Sequence, residues 1–335
     1  MKSNNKIENI FVFLSILLIV ITLSLSTTVF AEQYSLDVLT YSGGTISGNS
    51  NLMANGISAI GKQFLGINGT VTSNPTMAQV LVLLENEADI ATVMGYQTSD
   101  AYKGIGDWKD KPFPEVRLLL QGDPCGWVIA VLEDSSIHSI KDLVGKRVVV
   151  GKMGFVADDI TRRLFKVLDI SYDKITPLYL GNEDAAAGLL AGKADAYISM
   201  STPSQTITEM TLAHNIRVIG LNEEEMEKTL KGIPGCQRYI LPGGTYKGNN
   251  EDILAPSFFL FYACKANLPE DVAYGLVKNF WEHQEFAALQ YAGLALYKLE
   301  DIPSFTDAPW HIGAYKYYKE KGLVIPEDMI PPEAK

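Results

Sequence analysis

The feature that most restricts this chain is a weak internal repeat. Leu83-Leu84-Glu85-Asn86-Glu87-Ala88-Asp89 is matched later by Leu189-Leu190-Ala191-Gly192-Lys193-Ala194-Asp195. In each copy an apolar helix end meets a turn residue, and Ala-Asp then leads into an apolar run suited to a buried strand of a parallel sheet.

The match extends upstream. The first copy begins with the strand-like Leu36–Thr40, the turn Ser42-Gly43-Gly44-Thr45 and a helical stretch over 51–64. It continues through 79–87 to Ala88–Val93. The second begins with Arg147–Val150 and the turn Gly151–Gly154. A helix over 157–168 follows, then 184–193 and Ala194–Ile198. Strands alternating with helices predict an α/β fold built from right-handed crossovers, and two such sets predict two lobes. Each lobe is expected to hold a mostly parallel sheet flanked by helices. After a turn at Gly122-Asp123-Pro124, the apolar Trp127–Leu132 reads as one crossing between lobes, and Ser257–Tyr262 as the other. Lobe 1 is then 32–131 plus 262–335, and lobe 2 is 132–261. A two-strand hinge lets such lobes close over something small.

The amino terminus reads as a secretory leader over 1–31. Lys2 and Lys6 precede the apolar Ile10–Leu25, and Val29 and Ala31 are small enough for peptidase cleavage. A retained anchor helix is the other reading. No cysteine follows the run to carry a lipid, and no later segment reaches about 18 uninterrupted apolar residues. The mature chain is therefore expected to begin near Glu32 and to work in the periplasm. The full chain's net charge of −11, without a Lys/Arg cluster, makes nucleic acid and anionic membranes poor partners. A monomer is expected. Cys125, Cys236 and Cys264 match no metal spacing. Cys264 reads as a buried thiol, while Cys125 and Cys236 stand in turn-like contexts and either pair or stay free.

Each repeat sets a glycine-bearing turn between a strand end and a helix start, where backbone N–H groups lack partners and the helix dipole favours negative charge. Ligands of open α/β sheets collect at this edge. The first loop offers Ser42, Gly43, Gly44, Thr45, Ser47 and Asn49, as a binding rim or as a solvated turn. The second offers Phe155, Val156 and Ala157, with Asp158 either capping the helix or meeting a ligand amine. Met94, Tyr96, Ser201 and Thr202 follow strand ends at the same edge, and Trp127 stands near the hinge as wall, core or stacking platform. Gly43 to Gly48 has P-loop glycine spacing, but Asn49 stands where the lysine must be, which argues against nucleotide hydrolysis. His138, His214, His283 and His311 are isolated, no metal or cofactor motif occurs, and no nucleophile–base signature marks an enzyme.

Several blocks, in order, resemble the TAXI group of solute receptors of TRAP transporters. They include Ser42–Thr45, Leu84–Ala91, Asp100–Gly104, Ser139–Gly151, Leu241–Tyr246, Leu268–Asp271 and His311–Gly322. The resemblance spans 36–322. It implies a two-lobed periplasmic binding protein (type II-like) that passes a small organic solute, carboxylate or amino-acid-like, to the membrane subunits of a sodium-coupled TRAP permease. An ABC-type receptor of the same fold and a ligand-sensing module for a membrane kinase are the alternatives. The site blocks depart from the family. Met94-Gly95 replaces Gln-Ser, Gly154–Ala157 replaces Gly-Ser-Gly-Thr, and Asn49 and Ser50 replace tyrosines. Fewer polar groups imply a larger or more apolar solute, or one held by fewer hydrogen bonds.

Overall fold

A computed structural model describes residues 34–44, 46, 48–302 and 308–335. The leader 1–31, with Thr45 and Ser47, lies outside the described residues.

The first repeat folds as β1 (Val38–Gly43), α1 (Asn49–Ile60), β2 (Asn68–Ser73), α2 (Gln79–Leu84), β3 (Ile90–Met94) and α3 (Gly95–Lys103). A wider turn over Gly61–Leu65 extends α1. The chain then runs through β4 (Val116–Gly126) and β5 (Val128–Leu132) into the second repeat. That repeat is β6 (Arg147–Val149), α4 (Val156–Val167), β7 (Thr176–Leu178), α5 (Asn182–Leu190) and β8 (Ala196–Ser199). There follow α6 (Gln205–Ala213), β9 (Ile216–Ile219), α7 (Glu223–Gly232), β10 (Gln237–Leu241) and β11 (Ile253–Lys265). The tail adds α8 (Glu270–Glu282), α9 (Gln284–Ala287) and α10 (Ile312–Glu320).

The two repeats are the same device at atomic level. Asn86 and Gly192 both take left-handed backbone, φ 60° and 67°, which suits asparagine or glycine after a helix end. The next amides reach back alike, Glu87 to the Val82 carbonyl (2.9 Å) and Lys193 to that of Gly188 (2.8 Å). Asp89 then exchanges main-chain hydrogen bonds with β1. Its amide donates to Thr40, and its carboxylate accepts from the Thr40 amide at 2.7 Å. Asp195 does the same with Arg147 of β6, again at 2.7 Å. The Ala-Asp pair thus fastens the last strand of each repeat to its first.

β2-β1-β3 and β7-β6-β8 are parallel three-strand cores. β3 is buried along its whole length, as a strand covered on both faces requires. The expectation of mostly parallel sheets holds for these cores and not for their completion. β3 pairs antiparallel with β11, β8 with β5, and β5 with β9. Of these, β5, which continues β4, and β11 carry the chain between the sheets. β11 is longer than Ser257–Tyr262. Its first residues pair with β10, and Leu254 accepts from Leu221 in the second lobe. Its later residues pair with β3 and β4. Trp127, between β4 and β5, donates its amide to the Pro256 carbonyl at 2.9 Å, so the crossings lie side by side.

Gly122-Asp123-Pro124 is not a turn. β4 runs through it as far as Gly126, paired with β11. The register slips by one residue between Phe259–Pro124 and Phe261–Gln121, which marks a bulge at Gly122-Asp123. Pro124 is tolerated because this stretch of β4 pairs on one side. The tail forms a short tight helix over Ala292–Leu296 after an extended Tyr291. All three cysteines are free, so Cys125 and Cys236 do not pair. Among the described residues no helix is long and apolar enough to cross a membrane.

Candidate functional site

A cavity of about 670 Å³ opens between the two sheets. Two helix starts reach it. α1 begins after Gly48 and α4 after Phe155, and neither residue before the helix caps it with a side-chain hydrogen bond. Both Gly48 and Phe155 line the cavity, so a helix start from each lobe comes to it.

Six of the sequence-derived candidates line this cavity: Asn49 and Met94 from the first lobe, and Phe155, Val156, Ser201 and Thr202 from the second. The others do not. Ser42 is buried and accepts from Asn74 (3.0 Å), and the Gly43 carbonyl accepts from the Gln79 amide. The Gly44 amide donates to Ser50 Oγ at 2.9 Å. The opening glycine turn is therefore spent on fixing itself against α1 and α2. Ala157 lines a neighbouring hollow, and Thr161 donates to its carbonyl.

Asp158 faces its own helix, accepting from Arg162 (3.1 Å) and Tyr172. Tyr96 is buried and donates to Asp159 of α4 at 2.7 Å. Beside it Arg163 of α4 donates to Asp159 (2.8 Å) and to Asp100 of α3 (3.0 Å), and its guanidinium lies 4.6 Å from the Tyr96 ring centre. This cluster joins the lobes beside the cavity. Burial pushes the Asp100 carboxyl above its ordinary range, opposed by the Arg163 charge. Burial, then the Asp159 charge, holds the Tyr96 phenol well above its own. Trp127 is fully buried at the crossing, its indole N–H donating to Thr161 Oγ1 at 3.0 Å. It is a core residue and not a stacking platform.

The polar heart of the cavity was not visible in sequence. It is Asp123, placed by the β4 bulge and 6 % exposed. Its oxygens accept from Asn49 Nδ2 (2.9 Å), Tyr291 (2.5 Å) and Tyr297. Burial first, and the Asp123 carboxylate with it, raises both phenols. Tyr239, Phe259 and Trp281 supply aromatic wall. The missed signal was the spacing of Gly122, Asp123 and Pro124 inside an apolar strand, where a bulge competes with a turn.

The arrangement suits holding a molecule. Among the described residues no histidine lines the cavity. The Cys125 thiol at its edge is pushed far up by burial, which keeps it protonated. Among the described residues no cluster of three or more His, Cys, Asp or Glu could hold a metal ion.

The model of a family described as the NMT1-like family matches residues 43–322. Among solved structures, the chain is similar to the periplasmic aliphatic sulphonate binding protein SsuA from Escherichia coli. Identity is 16 %, with 88 % of this chain and 90 % of that one covered, at a TM-score of 0.46. It is similar also to a putative L-cystine ABC transporter from Listeria monocytogenes, at 15 % identity, 77 % and 97 % coverage and a TM-score of 0.46. A third is an ArgBP mutant from T. maritima, at 15 % identity, 78 % and 95 % coverage and a TM-score of 0.44.

Proposed function

This chain belongs to the NMT1-like family, and from its interlobe cavity we propose that it is an extracytoplasmic receptor for a small organic solute. The observation that carries the reading is the cavity itself. It is about 670 Å³, mostly apolar, and walled by both lobes beside two adjacent crossing strands. Sites for small molecules have this size and this mixture of apolar wall and few placed polar groups. The lobes, 32–131 with 262–335 against 132–261, close by bending where Trp127 meets Pro256. Asn49, Met94, Phe155, Val156, Ser201 and Thr202 then contact the guest, joined by Asp123, Gln121 and Tyr239.

The chain acts as an exported monomer with its leader removed near Ala31, and it passes its solute to the membrane subunits of a TRAP permease. Support for TRAP over ABC delivery comes from the TAXI-like blocks alone. Two measurements test these statements. Mass spectrometry of the small molecule released on mild unfolding identifies the guest, and a chain purified from its own host with nothing bound, and deaf to a broad solute panel, ends the receptor reading. Uptake that persists without a sodium gradient and needs ATP hydrolysis moves delivery to an ABC partner.

A further inference from the structure

We propose that the cavity contains a cation subsite built on Asp123 and Gln121, so that the solute carries a protonated amine. This rests on reading the cavity as a solute cleft.

Asp123 takes its three hydrogen bonds from neutral donors, the Asn49 amide and the Tyr291 and Tyr297 hydroxyls. Among the described residues no Lys or Arg side chain pairs with it. A carboxylate offers about four acceptor positions, so one remains, and a buried charge held only by neutral dipoles is incompletely compensated.

A second, independent group points the same way. Gln121 lines the same cavity, is 8 % exposed, and its Oε1 is buried without a hydrogen-bond partner. Leaving such an acceptor unpaired is costly. Both oxygens ask for donors, while the Gln121 Nε2, also without a hydrogen bond among the described residues, offers one. An ammonium carries three and accepts none.

The walls fit the same guest. Phe155, Tyr239, Phe259, Trp281 and Tyr291 bring aromatic rings to the cavity, and aromatic faces attract cations. Lys298, exposed, is the one basic residue of the lining among those described. The uncapped starts of α1 and α4 leave room for an acidic group on the same solute, so an apolar zwitterion and a simple amine both satisfy the geometry.

The test uses the full chain, unfolded and refolded free of solute. It is titrated with isosteric sets differing in one group: phenethylamine, propylbenzene and hydrocinnamate, with phenylalanine as the zwitterion. Trp281 emission and melting temperature report binding. The amines are expected to bind at least about tenfold tighter than the isosteres lacking the nitrogen, and Asp123→Asn to erase that preference. Gln121→Met, which leaves the carboxylate and side-chain volume in place, is expected to weaken amines several-fold and leave hydrocinnamate unchanged. It serves also if Asp123→Asn does not fold. If hydrocinnamate or propylbenzene binds as well as the amines and neither variant changes the order, the cation subsite falls and the receptor reading stands. If no member of any set binds, the cation subsite falls, and the receptor reading is decided by the co-purified molecule and the broad solute panel.

Discussion

Arg163 of α4 donates to the Asp100 carboxylate of α3 at 3.0 Å, so a cation from one lobe is held by an acid of the other. The same guanidinium reaches Asp159, and Asp159 accepts from Tyr96, which closes a chain of groups beside the cavity. Its members are Asp159 and Arg163 of α4 and Tyr96 and Asp100 of α3. The bonds can form in one relative setting of the lobes, so they bias the molecule toward that setting.

Arg163→Met is expected to loosen that setting. It strips the cationic partner from Asp100, a mostly buried acid, and from Asp159, at a cost of about 2 kcal/mol for charge-assisted bonds at a partly exposed site. Small-angle scattering should show a larger radius of gyration, and solute release should speed up. Unchanged scattering and release rates would show the cluster to be decoration.

His311 sets a pH dependence. It is fully buried, and its Nδ1 accepts from the Gly313 amide at the start of α10. Burial is the main cause that lowers its pKa below 6.5. A group with a lowered folded pKa supports stability above its unfolded pKa and loses that support as pH falls toward the folded one. Between pH 7 and 5.5 the unfolded chain therefore binds a proton that the folded chain refuses, worth at most about 1.4 kcal/mol at pH 5.5. His311→Asn, which keeps a capping acceptor, should flatten this part of the curve. Urea unfolding of both chains at the two pH values decides it.

The left-handed turns of the repeat differ in cost. Gly192→Ala meets no atom within 4 Å, so its penalty is conformational, about 1 kcal/mol. Asn86→Gly relieves the same strain in the other lobe and should be neutral or slightly stabilising. Equal destabilisation by the two changes would sink the equivalence of the turns.

The hinge leaves no room at Gly126. A Cβ there would stand 2.5 Å from Thr202 Oγ1, the hydroxyl that donates to the Gly126 carbonyl at 2.6 Å. Gly126→Ala should cost about 1–3 kcal/mol through overpacking and displace the Thr202 loop from the cavity wall. Denaturant midpoints measure the first effect and solute affinity the second. The double variant with Thr202→Ala, which removes the crowding hydroxyl, should recover part of both.

Much of the architecture was legible because its signals are local. Asn86 and Gly192 end helices by backbone conformation, and Asp89 and Asp195 bond to the strand beside them. Such devices need few residues and repeat visibly. The strand boundaries drifted where a local signal served two ends. Gly122-Asp123-Pro124 has turn chemistry, yet pairing with β11 absorbs it as a bulge, because ladder bonds on one side outweigh a turn leading nowhere. The glycine loop at Ser42–Gly44 carried polar groups that the fold consumes internally, which no sequence pattern distinguishes from a binding rim.

Sequence by itself determined two α/β halves, their crossing strands and the pair of helix starts that face each other, since each follows from hydrophobic period and turn chemistry within a short window. Only tertiary structure decided what lines the space between them. Asp123 comes from a bulged strand, Tyr239 from an edge hairpin, and Trp281, Tyr291 and Tyr297 from a tail that folds back. Groups so far apart along the chain share no periodicity. Their meeting depends on the packing of whole elements, a long-range outcome that no local pattern records.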